Sequence, residues 1–66
     1  MATTKKIYSL VGVNGNAYAV MGYVRNAMRE CGMTKQQIEE YTSDATSGDY
    51  NHLLNVSARM VARLNK

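Results

Sequence analysis

The sequence has little of what cross-links a chain or separates it into domains. Its 66 residues include one cysteine and no proline, tryptophan or phenylalanine. One cysteine excludes an internal disulfide, and no cysteine and histidine cluster has zinc-ligand spacing, so we expect no disulfide scaffold, metal or cofactor. Because repeats and low-complexity tracts are also lacking, we expect residues 1–66 to form a single domain.

Long apolar runs are missing as well. The apolar stretch that begins at Ile7 is interrupted by Ser9, Gly12 and Asn14. It is too short for a signal peptide or a membrane span, so we expect a cytoplasmic protein without a membrane partner. A chain of this size buries only about 60% of the surface that its unfolded form exposes, which favours a homo-oligomer.

The charges are unevenly distributed along the chain. The formal net charge is +3, from eight lysines and arginines against five acids. The acids are Glu30, Glu39, Glu40, Asp44 and Asp49, and cations on either side of them are Lys5, Lys6, Arg25, Arg29, Arg59, Arg63 and Lys66. This layout suits an anionic ligand on one face, although a solvated basic surface produces the same pattern more often.

The N-terminal part of the sequence predicts one β-strand at about residues 6–13, because β-branched and aromatic residues dominate there. No second strand pattern follows. The backbone groups of a lone strand need partners, so the strand must pair with another copy of the chain or lie as an extended arm across helices.

Three segments repeat apolar residues at helical spacing and predict helices at about 17–31, 35–42 and 49–64. Gly32 suits a helix end, and Thr34 with Gln37 forms a capping-box pattern. Cys31 falls on the apolar stripe of the first helix and is expected in the core. Residues 42–48 are rich in hydroxyls and are expected to form a loop. The predicted fold class is mainly α with one N-terminal strand.

Two polar, glycine-containing turns, at Gly12–Ala17 and Ala45–Tyr50, precede the first and last helices. Helix N-termini present free amides to anions, and each turn is followed closely by a tyrosine that could stack on a base. A single turn of this kind more often has only a structural role. The presence of two favours a ligand site. The candidate ligand-binding residues are Asn14, Gly15, Asn16, Tyr18, Arg25, Ser47, Gly48, Tyr50 and His52.

The first predicted helix carries Tyr18, Gly22, Arg25 and Arg29 on the side away from its apolar stripe. Aromatic and guanidinium groups at this spacing could stack on a base and hold a phosphate. Because glycine is unfavourable inside a helix, Gly22 suggests that another backbone or a ligand comes close there.

Catalysis has little support in the sequence. His52 is the only histidine, and no nucleophile, base and acid stand in a known motif. The turn at Gly12–Ala17 lacks the Lys-Ser/Thr ending of a nucleotide-hydrolase loop and does not match the dinucleotide fingerprint. We therefore expect a binding protein and not an enzyme.

Two blocks of the sequence resemble a group of small phage and prophage proteins. They are Gly-Asn-Ala-Tyr-Ala-Val-Met-Gly at 15–22 and Ala-Thr-Ser-Gly-Asp-Tyr-Asn-His-Leu-Leu at 45–54. The resemblance implies a phage product made in a bacterial cytoplasm. A weaker association is with phage anti-defence sponges, small oligomers that sequester cyclic nucleotides of bacterial immunity, although no motif of that group can be matched here.

The leading hypothesis is an oligomeric phage protein that binds a small anionic ligand, above all a cyclic oligonucleotide, without converting it. One alternative is an inhibitor or adaptor that binds a host protein through its helix faces, with Val56 and the methionines as contacts. The other is a helix-turn-helix-like nucleic-acid-binding module. Its predicted turn is longer than the usual three or four residues, and the acidic Asp49 at the start of the last helix disfavours it.

Overall fold

The computed structural model describes residues 7–65 and contains three helices in that range, which are α1 (Ala17–Glu30), α2 (Lys35–Ala45) and α3 (Tyr50–Leu64). Each helix contacts the other two. The mainly helical prediction is confirmed. No helix within 7–65 has the length and apolar character needed to cross a membrane. Lys5, Lys6 and Lys66, part of the predicted basic flanks, lie outside the described residues.

The helices begin where side chains satisfy their first amides. Asn16, Thr34 and Asp49 each accept a hydrogen bond from an amide of the first turn. Gln37 Oε1 accepts a hydrogen bond from the amide of Thr34 at 2.9 Å, which completes the predicted capping box. Local side-chain chemistry therefore sets all three starting points.

The end of α1 is set by Gly32, whose φ of 80° is favourable only for glycine. Its amide donates to the carbonyl of Arg29, and the amide of Met33 donates to that of Met28, both at 3.0 Å. This is a Schellman end. The expectation that Cys31 lies in the core is wrong, because the chain reverses at this residue and leaves it exposed.

Helix α2 extends three residues beyond its predicted end at residue 42. The hydroxyls of Thr42 and Thr46 donate back to the carbonyls of Ile38 and Thr42, at 2.9 and 2.8 Å, and so do not break the helix. Extension also buries Ala45, which is 1% exposed. The connection to α3 is consequently only four residues, Thr46 to Asp49.

The core lies between the helices and matches the predicted apolar stripes. Its helical members are Val20, Met21, Val24, Ala27, Met28, Ile38, Tyr41, Ala45, Leu53 and Val61. One polar pair is buried among them, where the hydroxyls of Tyr41 and Ser57 lie 2.6 Å apart. Because each hydroxyl has a partner, the pair joins α2 to α3 without an unsatisfied group.

The predicted N-terminal strand is wrong, since residues 7–65 contain no β-strand. The segment instead lies against the helices, with Tyr8 buried. The side-chain amide of Asn65 takes the place of a neighbouring strand: Asn65 Oδ1 accepts from the amide of Tyr8, and Asn65 Nδ2 donates to its carbonyl, both at 2.8 Å. Pairing with another chain is therefore not needed to satisfy these backbone groups.

Further contacts hold the same segment in place. The Tyr8 hydroxyl donates to Glu30 Oε1 at 3.1 Å, and the amide of Ser9 donates to the hydroxyl of Tyr23 at 2.8 Å. Hydrogen bonding to Cys31, burial and hydrogen bonding to Glu30 raise the pKa of Tyr8 well above its usual range. The segment is thus anchored to α1 through Glu30 and Tyr23, and to the end of α3 through Asn65.

Replacing Asn65 with Ala should release the N-terminal segment, because two hydrogen bonds to a buried backbone are lost. We expect a loss of about 1–3 kcal/mol in urea unfolding and faster hydrogen exchange at the amide of Tyr8. Asn55, exposed on the same helix, provides the control, and Asn55→Ala should change neither quantity. Unchanged exchange at Tyr8 in Asn65→Ala would show that the anchor is elsewhere.

Stability should also fall in alkaline solution. Because the pKa values of Tyr8 and Tyr41 are raised on folding, the unfolded chain loses these protons first, so the free energy of unfolding should decline as the pH rises above about 10. The Tyr8→Phe variant should show a shallower decline in denaturant titrations at successive pH values. An identical pH slope in the variant and the original chain would contradict the assignment to Tyr8.

Candidate functional site

The two polar turns predicted from the sequence meet in the structure. The hydroxyl of Tyr50 donates to the carbonyl of Gly15, which joins the start of α3 to the turn before α1. A pocket of about 310 Å³ lies beside this contact and is lined by residues from both turns, among them Tyr18, Gly48 and Asp49. We call it the turn pocket.

The polar groups of the turns are largely used by the turns themselves. Asn14 Oδ1 accepts from the amide of Asn16 at 2.9 Å, and Asn16 Oδ1 accepts from the amide of Tyr18 at 2.8 Å. The hydroxyl of Ser47 donates to the carbonyl of Asp44 at 2.6 Å. These side chains primarily shape the turns, as asparagine and serine commonly do.

The electrostatics of the turn pocket do not favour an anion. No lysine, arginine or histidine is among its lining residues within 7–65, whereas the carboxylate of Asp49 is. That carboxylate also accepts from the amide of His52 at 2.9 Å and so occupies the start of α3. The ring of Tyr18 is 82% exposed and remains accessible for stacking.

His52 connects α2 to α3. Its Nε2 atom lies 2.8 Å from the carbonyl oxygen of Asp44, 3.2 Å from Asp44 Oδ1 and 3.4 Å from the hydroxyl of Ser47. All three contacts converge on one ring nitrogen, whereas a Ser-His-Asp relay uses both. The three contacts therefore hold the end of α2 against the start of α3, and they engage one ring nitrogen of His52, a candidate ligand-binding residue.

Gly48 permits the close approach of this turn to α3. A Cβ atom at Gly48 would lie 2.9 Å from both Cβ and Cγ of His52, closer than side chains tolerate. Gly22 differs: among the described residues, a Cβ there would meet no atom within 4 Å. The neighbour expected at Gly22 is thus not part of residues 7–65.

The two glycines make a matched pair for mutation. Gly48→Ala should destabilise the protein by about 1–3 kcal/mol, because His52 must move and its contact with Asp44 is strained. Gly22→Ala should stabilise it by about 1 kcal/mol through helix propensity. Thermal and urea unfolding measure both, and a loss of stability in Gly22→Ala would show that a neighbour does approach that residue.

Arg25 lies away from the turn pocket, between α1 and α2. It lines a second pocket of about 440 Å³ together with Arg29, Lys35 and Glu39, over the apolar side chains of Met33 and Ile38. We call it the basic pocket. Of the predicted site residues, the structure thus groups Tyr18, Gly48 and Tyr50 in one place and puts Arg25 in another.

Arg25 is a half-buried cation with one hydrogen-bond donor that is unpaired within residues 7–65. Its Nε is buried and has no hydrogen-bond partner among the described residues. Its charge also reaches Tyr41: burial raises the pKa of Tyr41, while the hydrogen bond with Ser57 and the nearby charge of Arg25 oppose that rise. The guanidinium therefore lies at the edge of the core, and its Nε donor has no acceptor among residues 7–65.

Lys35 was missing from the residues chosen by sequence. It is the first residue of α2, and the tight turn at Gly32 brings it back beside the end of α1. The signal that could have found it was the glycine turn followed by the capping box, because a short connection makes two helices antiparallel neighbours.

Within residues 7–65, no group of three or more histidine, cysteine, aspartate or glutamate side chains could hold a metal ion. Comparison with protein-family models, with curated proteins and with solved structures gives no match.

Proposed function

We propose that this chain binds a small anionic ligand in the basic pocket without converting it, and that the ligand is a cyclic oligonucleotide sequestered on behalf of a phage. The ligand class is supported by three cations, Arg25, Arg29 and Lys35, against one carboxylate from Glu39. The assignment to a phage relies only on the resemblance of the sequence blocks at 15–22 and 45–54. The cyclic oligonucleotide relies on the weaker association with anti-defence sponges, for which no motif is matched.

The observation that carries the proposal is the unpartnered Nε of Arg25. A buried donor without an acceptor costs about 1–3 kcal/mol, which is recovered when the side chain turns its Nε towards the pocket and meets an acceptor there. Phosphate oxygens are suitable acceptors, since a guanidinium can bind them with two parallel hydrogen bonds. The basic pocket thus offers an anion a hydrogen-bond donor in addition to surface charge.

The exposed side of α1 extends this site towards a base. Tyr18, Gly22, Arg25 and Arg29 follow one another at helical spacing outside the buried stripe, with Arg25 at its edge. Tyr18 and Arg25 are separated by about 10 Å along the helix axis. Gly22 contributes no side chain between them, so a nucleotide could place its phosphate at Arg25 and a base against Tyr18.

The size of the basic pocket agrees with this ligand class. Its volume of about 440 Å³ falls within the range of roughly 300–1,000 Å³ that holds small organic molecules. Met33 and Ile38 supply an apolar floor for part of a base or ribose. A bare inorganic anion would leave this floor uncovered.

The test uses the exposed cations, whose loss should not disturb the core. In Arg29→Ala combined with Lys35→Ala, affinity for the cyclic dinucleotide or trinucleotide that binds the original chain should fall at least about tenfold, because two charge-assisted contacts are removed. Isothermal titration calorimetry gives the affinity, and native mass spectrometry shows whether the bound nucleotide keeps its mass.

Arg59→Ala is the control, since it removes the same kind of charge from α3, outside the basic pocket. It should bind like the original chain. Equal affinity in the double variant and the control would move the site elsewhere. Failure of every cyclic nucleotide to bind would remove the proposed ligand, and recovery of a hydrolysed nucleotide would make the protein an enzyme.

A nucleic-acid-binding module is the second candidate, and one observation favours it. The α2–α3 connection is four residues, so the length that argued against a helix-turn-helix no longer applies. Asn55 and Arg59 on α3 are exposed and of types that read bases. The acidic cap Asp49 at the start of α3 still opposes phosphate. Duplex DNA binding that weakens steeply with salt and is lost in Asn55→Ala would support this candidate over the first.

A further inference from the structure

A groove between α2 and α3 adjoins the basic pocket at Met33 and otherwise lies outside both sites described above. Two adjoining pockets form it, of about 180 and 280 Å³, and they share Asp44, Val56, Met60 and Arg63. Met33 extends the apolar floor at one end. The side chains of Met33, Val56 and Met60 are only half-buried, so an apolar strip remains accessible along the groove.

The two rims of the groove carry opposite charges. Glu40 and Asp44 of α2 line one rim, and Arg59 and Arg63 of α3 line the other. Neither arginine forms an ion pair within 4 Å among residues 7–65. The two positive charges are thus available to a partner that presents acidic groups. On the acidic rim, Asp44 Oδ1 already lies 3.2 Å from His52 Nε2.

A second copy of this chain presents acidic groups to the basic rim when it is rotated by a two-fold axis that runs along the groove, parallel to its two rims. The axis places the acidic rim of each copy on the basic rim of the other, so all four rims meet opposite charges. The same rotation lays the two apolar floors together. Methionines suit such a contact because their flexible side chains adapt to each other.

We propose that the α2–α3 groove is the surface through which two copies of this chain form a dimer. The observation that carries it is this self-complementarity of charge around an apolar floor. A domain of this size gains from the additional burial, because its own core is small. The surface differs from the N-terminal segment, whose buried Tyr8 already has its backbone partners in Asn65.

Reversal of charge on each rim tests the proposal. One variant carries Arg59→Glu with Arg63→Glu, and the other carries Glu40→Arg with Asp44→Arg. Each variant alone should be monomeric at concentrations where the original chain is a dimer, because like charges then face each other twice. An equimolar mixture should form a one-to-one dimer, since both contacts become attractive again. Light scattering coupled to size-exclusion chromatography measures the masses, and circular dichroism checks that each variant is folded.

The mixture needs one control for simple attraction between oppositely charged proteins. Adding Val56→Asp to both variants leaves the rim charges in place but puts a carboxylate on the apolar floor, and it should abolish the mixed dimer. Concentration-dependent shifts of backbone amides in the original chain provide a second readout that needs no variant. These shifts should fall on both sides of the groove in α2 and α3.

Several results would overturn the proposal. They are a monomeric original chain at all concentrations, a dimer that survives either charge reversal, a mixture that stays monomeric, and dilution shifts confined to residues 7–16. Binding of a different protein at the groove by an otherwise monomeric chain would assign the surface to a heterologous partner instead.

Discussion

The burial of one side of α1 is the constraint on which the rest of the structure depends. Val24 and Met28 have no exposed surface, and α1 contacts both other helices. A helix held so closely on one side can present only its opposite side to a ligand. The register of the apolar stripe therefore decides that Tyr18 and Arg29 face outward and that Arg25 lies at the edge of the core, and any change of register would remove the basic pocket.

The connections between the helices then determine which polar groups meet. The glycine turn after α1 brings Lys35 to the two arginines, while the four-residue turn before α3 brings His52 onto the end of α2. The two turns therefore place the cations Arg25, Arg29 and Lys35 in one pocket, and Tyr50 in another. As a result, the chain has a basic pocket at one place and an aromatic, weakly acidic pocket at another.

Local patterns in the sequence predicted the helices well because the information is contained within a few residues. The apolar period, the capping box at Thr34 and the glycine end at Gly32 all act within one or two turns of helix. The N-terminal segment was misjudged for the opposite reason. Its backbone is satisfied by Asn65, 57 residues away in sequence, and no local pattern can indicate such a partner.

The candidate site was predictable only in part. The sequence indicated that the side of α1 bearing Arg25 could meet an anion, and the structure adds Lys35 and the unpartnered Nε atom. It also indicated two similar turns, which do converge. The sequence could not show that their asparagines and serine are consumed by local hydrogen bonds, because that depends on the turn geometry.

Binding of an anion at Arg25 can be measured by a nuclear magnetic resonance titration of the original chain with cyclic nucleotides that follows the Nε–H group of Arg25. A ligand acceptor at this donor should shift its proton resonance downfield, together with changes at the amides of Arg29 and Lys35. If the Arg25 signal stays unchanged while the amides of Tyr18, Gly48 and Tyr50 shift, the ligand occupies the turn pocket and not the basic pocket.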